Sequence, residues 1–309
     1  MGYKLLALDL DGTVVQPDLS IDATVRAAIA AAQAQGVYVT IATGRMFGAT
    51  LPFAHKLNIS GPLICFQGGL IRDTRDGAVL HHAPVAPALA AEAIQEALRA
   101  NLFVLGYIDE RLWIAERRPE LDLYLSWHPE RPEVVLAPNL AEVIARGGSA
   151  QLLEAIGQTC TANPPTKLLF VAEPAVVERE CARLAAHFAG RLAVVRSHAL
   201  FGELTALGVN KGAALARLAA HLGIAREDVI AIGDHENDIP MLEWAGLGLA
   251  MGNAIPAAQA AADVVIGEWI WAALKATLSG RLGSSKVNAA RERESSDAAR
   301  VESVSMVER

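Results

Sequence analysis

The chain has 309 residues, 52% of them hydrophobic, with a formal net charge of −7 and three cysteines. That length admits two domains and a sizeable core. The acidic balance excludes the basic face of a generic nucleic-acid or membrane-surface binder, but not a small anionic substrate at a locally positive site.

Cys65, Cys160 and Cys181 form no CxxC pair and are odd in number. They predict reduced thiols in a soluble cytoplasmic protein, with neither a disulfide framework nor a zinc site. The short apolar run ahead of Asp9 does not read as a secretion signal. No apolar run approaches the roughly 20 residues of a membrane helix.

In chain order, "LLALDL" from Leu5 reads as a buried strand, and "TVRAAIAAAQAQG" as a helix stopped at Gly36. "VYVTIAT" is a second strand. A helix over 46–57 follows, then "PLICF" as a third strand. From Pro84 to Phe201 the pattern changes, with Pro84 and Pro87 marking where it begins. A helix comes first, then "FVLGYI" and "RLWIA" as a hairpin, mixed segments, "KLLFVAE", a helix from Ala175 to Phe188, and "LAVVRS". Alternation then resumes through "KGAALARLAAHLG", "VIAIGD", "IPMLEWAG", "LGLAMG", "PAAQAAA" and "DVVI". Short apolar strands separated by helices imply parallel βαβ units. The expected fold is α/β: a Rossmann-like parallel-sheet core over 1–83 and 202–280, with an inserted α+β domain over 84–201. The polar tail at 281–309, rich in Arg, Glu and Ser, is expected to be disordered.

Open parallel sheets build sites at the carboxyl ends of their strands. Asp9 and Asp11 end the first strand, Thr43-Gly44-Arg45 the second, and Gly233-Asp234 a later one, with Asn237 and Asp238 just beyond. Asn210-Lys211-Gly212 opens a helix. Close carboxylates repel and are costly to bury unpaired. They call for a cation, and oxygen ligands with little else predict Mg²⁺.

"DLDGT", "ATGR", "GVNKG" and "GDHENDIPML" stand in the order and context of the four motifs of the haloacid dehalogenase superfamily, which the chain resembles over residues 3 to 267. "LGLAMGNA" and "AADVVI" resemble the segments that follow the fourth motif in its Cof-type phosphatases, and the insert resembles their cap in size and coarse pattern. The resemblance implies a Mg²⁺-dependent phosphatase that hydrolyses small phosphorylated metabolites, sugar phosphates or phosphorylated cofactors, through an aspartyl-phosphate. Asp9 resembles the nucleophile and Asp11 the general acid/base. Thr43, the Gly44 amide and Lys211 would bind phosphate. Mg²⁺ would be held by the Asp9 carboxylate, the Asp11 carbonyl and Asp234, with Asn237 and Asp238 behind them fixing waters or Lys211.

Blander readings stand beside these. The Asp pair could cap an ordinary turn, Thr43 could be a helix N-cap, and Lys211 could be a solvated helix residue. Asp238 could favour the next helix start. Arg45 could be a surface charge or a substrate contact. Gln67 in "CFQGGL" stands where the family commonly has asparagine, so its amide reaches one methylene further. Tyr107, Trp113, Tyr124, Trp127, His128 and His198 are more simply core or structural residues than substrate contacts. A phosphosugar mutase, and a noncatalytic regulator that binds phosphometabolites, remain as alternative functions.

Overall fold

The computed structural model describes residues 2–126, 132–145 and 164–266. The polar tail, Cys160, Trp127 and His128 lie outside them. In chain order the described strands are β1 (Leu5–Leu8), β2 (Tyr38–Ile41), β3 (Pro62–Cys65), β4 (Leu70–Asp73), β5 (Val79–His82), β6 (Phe103–Ile108), β7 (Arg111–Ile114), β8 (Val134–Leu136), β9 (Lys167–Val171), β10 (Leu192–His198), β11 (Phe201–Ala206), β12 (Val229–Gly233), β13 (Leu247–Met251) and β14 (Val264–Ile266). The chain divides into two compact units, Met1–Thr40 with Ala219–Arg309, and Ile41–Leu218.

The first unit is built on a five-stranded sheet in the order β14-β13-β12-β1-β2. The pairs β1–β12, β12–β13 and β13–β14 are parallel. Strands β1 and β12 are buried along their whole length, which is why they read as unbroken apolar runs rather than alternating ones. The helix Ala23–Ala34 buries Val25, Ala28, Ile29 and Ala32, the i, i+3, i+4, i+7 face, and the Asp22 side chain caps its start by accepting the Thr24 N–H.

The second unit holds two sheets. One is a three-stranded antiparallel sheet, β3-β4-β5. The third strand read from "PLICF" is present as β3. It pairs antiparallel with β4, and Ala42 and Ile64 form a single parallel bridge. The other sheet has six strands in the order β10-β11-β9-β6-β7-β8. Helices Pro87–Arg99, Leu140–Ala145 and Pro174–His187 cover one face of it, in a core that includes Ile94, Ile144, Leu168, Phe170, Leu184 and Leu204. The expected hairpin is present as β6–β7, joined by Asp109 and Glu110, both in the left-handed region as a tight two-residue turn demands. The fold is thus α/β with a parallel-sheet core and an additional sheet domain.

Candidate active site

In the first unit, the parallel register from Leu5↔Val229 to Leu8↔Ile232 brings the ends of β1 and β12 side by side. The Asp9 N–H continues that ladder, donating to the Ile232 carbonyl at 2.9 Å. The chain then reverses: Val14 and Val15 both donate to the Leu10 carbonyl. Gly12 serves this turn twice. Its φ is +85°, and a Cβ there would stand 2.5 Å from Asp234 Oδ2, so only glycine lets the turn lie against the next acid. Thr13 Oγ1 donates to Asp234 Oδ1 at 2.9 Å.

One carboxylate oxygen from each of Asp9, Asp234 and Asp238 lies within 4.8 Å of the others. Asp9 is 5% exposed and Asp238 fully buried. Asp238 also holds the loop after β12, because its Oδ2 accepts the N–H groups of Asp234 and His235, each at 2.9 Å. It therefore ties down the loop that presents Asp234, a second role beside any part in the acid cluster. The donor set fits a hard divalent cation: it is oxygen throughout and negatively charged, with Asp9 and Asp238 buried and Asp234 half-buried. Asp11 is exposed and Asn237 half-buried. Asn253, given no role by the sequence reading, donates through Nδ2 to the Gly12 carbonyl at 3.1 Å and steadies the turn.

The second unit gathers the other predicted residues. Thr43 is 1% exposed; its N–H donates to the Ile64 carbonyl and its Oγ1 accepts the Arg45 N–H at 3.2 Å. It does not cap the following helix, Phe47–Lys56, whose N-cap residue is Met46. The β3–β4 link crosses back over this segment: Phe66 N–H donates to the Arg45 carbonyl, and Gln67 N–H to the Thr43 carbonyl, both at 3.0 Å. Phe66 and Gln67 both have positive φ, a strained conformation for two consecutive side-chain-bearing residues. It lays the Gln67 amide against Gly44, with Nε2 2.5 Å from where a Gly44 Cβ would be.

Gly68, at φ +102°, then touches the start of the next helix; a Cβ would fall 2.5 Å from the Asn210 carbonyl oxygen. Asn210 caps that helix through Oδ1, which accepts the Ala213 N–H at 2.8 Å. Lys211 begins it and is fully buried, so the reading of a solvated lysine is set aside. Arg45 stacks on the Phe53 ring at 5.2 Å. Tyr107, Trp113 and Tyr124 are all buried in the insert. Two residues of the six-stranded sheet escaped the sequence reading, Lys167 on β9 and Glu203 on β11: Lys167 donates to the Gly44 carbonyl at 3.2 Å and to Glu203 Oε1 at 2.9 Å.

The first unit, with acids closing neighbouring parallel strands, has the carboxylate centre of an α/β enzyme, and the second unit separately holds a buried hydroxyl, Thr43, and a buried lysine, Lys211. The chain belongs to the haloacid dehalogenase-like hydrolases, whose family model matches residues 6–268. The Cof-type resemblance read from the motifs is borne out. The chain is 30% identical over 254 residues to the HMP-PP phosphatase of Serratia proteamaculans, covering 82% of this chain and 85% of that protein. It is 28% identical over 268 residues to the pyridoxal phosphate phosphatase YbhA of Escherichia coli, covering 87% and 94% respectively. Among solved structures, TM0651 from Thermotoga maritima superposes with a TM-score of 0.74 at 27% identity, over 91% of this chain and 98% of that one. Among the described residues, no helix is long and apolar enough to cross a membrane.

Proposed function

We propose that the chain is a Mg²⁺-dependent cytoplasmic phosphatase that hydrolyses small phosphomonoesters, sugar phosphates or phosphorylated cofactors, through an aspartyl-phosphate on Asp9. The observation that carries this reading is the acid cluster of Asp9, Asp234 and Asp238 at the ends of β1 and β12, in which Asp9 and Asp238 are buried and Asp234 half-buried. Names of relatives that act on pyridoxal phosphate and HMP-PP support the substrate class.

An Asp9 carboxylate oxygen attacks phosphorus, and the bond from phosphorus to the ester oxygen breaks. Asp11 gives its proton to the departing alkoxide. It then takes a proton from water as the water oxygen attacks phosphorus, the bond to Asp9 breaks, and orthophosphate leaves. Thr43, the Gly44 N–H and the Lys211 ammonium bind the phosphoryl oxygens. Asp9, the Asp11 carbonyl and Asp234 would hold Mg²⁺, which when bound supplies charge neutralisation for the carboxylates and the phosphoryl group. Asn237 and Asp238 keep this set in place. Residues 84–201 act as the cap that contacts the rest of the substrate.

Purified protein assayed against a panel of phosphorylated metabolites, with Mg²⁺ and after chelation, tests the reading. Orthophosphate release from small phosphomonoesters that stops on chelation and returns with Mg²⁺ is the expected result. Release that persists in excess EDTA, or none from any member of the panel, would overturn it.

A further inference from the structure

Register places a polar cluster on the face of the six-stranded sheet opposite its helix-covered core. Lys167 faces Tyr107 across β6–β9. Glu203 pairs with Leu169 and is therefore the diagonal neighbour of Lys167; on the other side Val195 pairs with Glu203, and Ser197 sits at the bulge two residues further on. Diagonal neighbours share a face and lie within reach of long side chains. Lys167 is 3% and Glu203 4% exposed. Ser197 Oγ donates to Glu203 Oε1 at 2.8 Å, the same oxygen that accepts from Lys167. The Lys167 ammonium also lies 4.8 Å from the centre of the Tyr107 ring and 5.9 Å from that of Phe66.

A buried charge is costly unless it is paired and hydrogen-bonded, and Glu203 pairs Lys167 at 2.9 Å. Lys167 uses its second bond outside the insert, on the Gly44 carbonyl. The peptide bond that carries this carbonyl also carries the Arg45 N–H, which donates to Thr43 Oγ1. A hydrogen bond to one end of a planar peptide fixes the direction of the other. With its oxygen accepting from Arg45, the Thr43 hydroxyl keeps its proton to donate. We infer that Lys167, held by Glu203 and Ser197, is a positioning residue that sets the orientation of the Thr43-Gly44 loop and hence its affinity for phosphate. The inference rests on the phosphatase reading and deepens it: a residue of the insert tunes the grip on the phosphoryl group itself, whatever alcohol the phosphate carries.

Orthophosphate isolates that grip because it has no alcohol part. Lys167→Met keeps most of the volume and removes the donor. A charge-assisted hydrogen bond is worth enough to weaken orthophosphate inhibition by roughly tenfold or more. KM for p-nitrophenyl phosphate and for any metabolite substrate should rise by the same factor. A lysine that contacts the alcohol would raise KM for metabolites and leave the orthophosphate inhibition constant alone; a purely structural lysine would lower Tm and leave that constant alone. Either result, with the constant within twofold of wild type, overturns the inference. Should Lys167→Met fail to fold, Glu203→Gln, which keeps shape but loses the charge holding the ammonium, should weaken orthophosphate in the same sense by a smaller factor, and an unchanged constant again overturns it. Wild-type protein that releases no phosphate and is untouched by orthophosphate would remove the phosphatase reading and the inference with it; wild-type activity with an unaffected variant removes the inference alone.

Discussion

Neutralising Asp9 should stabilise the chain when no cation is present and weaken its response to one. Three carboxylate oxygens, one each from Asp9, Asp234 and Asp238, stand within 4.8 Å of one another. At that distance two ionised groups repel by roughly 3 kcal/mol at an effective dielectric of about 20. Asp9→Asn removes the charge from two such pairs, and the lost hydrogen-bond strength of the carboxylate offsets part of the gain. A net gain of about 1 kcal/mol would raise Tm by about 2–4 °C for a chain of this size. The wild type should respond the other way round. Mg²⁺ at about 100 times its dissociation constant adds about 2.7 kcal/mol, or about 5–10 °C, to the chelated protein. The assay is thermal unfolding of both proteins in EDTA and across a Mg²⁺ titration. Asp9→Asn should begin higher and rise less. A variant that melts below wild type in EDTA, or that shows the full Mg²⁺ shift, would refute the claim that these acids repel and that a cation relieves them. Turnover by Asp9→Asn should be near background.

Asp11→Asn should lower kcat by about 10²- to 10⁴-fold, because protonation of the alkoxide and activation of water both go; a loss below tenfold would remove Asp11 from that role. Asp238→Ala leaves the Asp234 and His235 amides without their acceptor and should cost roughly 2–4 kcal/mol in urea unfolding, yet weaken Mg²⁺ binding less than Asp234→Ala does. Gly68→Ala meets both a left-handed φ and a carbonyl oxygen 2.5 Å away and should destabilise by roughly 2–4 kcal/mol; a Tm within a degree of wild type would contradict the close approach. Glu110 accepts the Gly48 N–H at 2.7 Å, and burial raises its pKa above the usual carboxylate value. Its folded pKa thus exceeds its unfolded one, so the ionised form costs stability above the raised value, and the cost fades as pH falls to the unfolded value near ~4.3. Glu110→Gln should therefore melt above wild type at about pH 7.5 and lose that advantage by about pH 4, whereas a gap constant with pH would argue against it.

What the sequence disclosed depended on how locally each feature is encoded. Strands β1, β12 and β13 were legible because strands buried on both faces must be apolar throughout. The acids at their ends were legible because a carboxylate interrupting such a run has few structural explanations. The hairpin of β4 and β5 was not read: Val79 is 55% and Leu80 37% exposed, so β5 carries neither a buried run nor an alternation. Strand β11 was missed for the opposite reason. Its Glu203 and Thr205 are buried, and a buried polar residue in a strand looks, in sequence, like a loop.

The burial of Lys211 was hidden by the same logic, since a lysine that opens a helix is ordinarily solvated. Only its place in the "GVNKG" motif set it apart. Lys167 had no such marker. It opens an apolar run, its partner Glu203 lies 36 positions on, and the carbonyl it grips lies 123 positions back. Neither separation matches the short-range spacing of a helix or a hairpin. The pairing exists only once β9 lies between β6 and β11, a neighbourhood fixed by the topology of the six-stranded sheet. A motif can name the residues that touch a phosphate, because their spacing is set within one turn or loop. The residues that hold that loop in place come from wherever the fold delivers them. In this chain Phe66 and Gln67 supply part of that support and Lys167 of the six-stranded sheet another part, so substitutions around Lys167 should alter phosphate affinity.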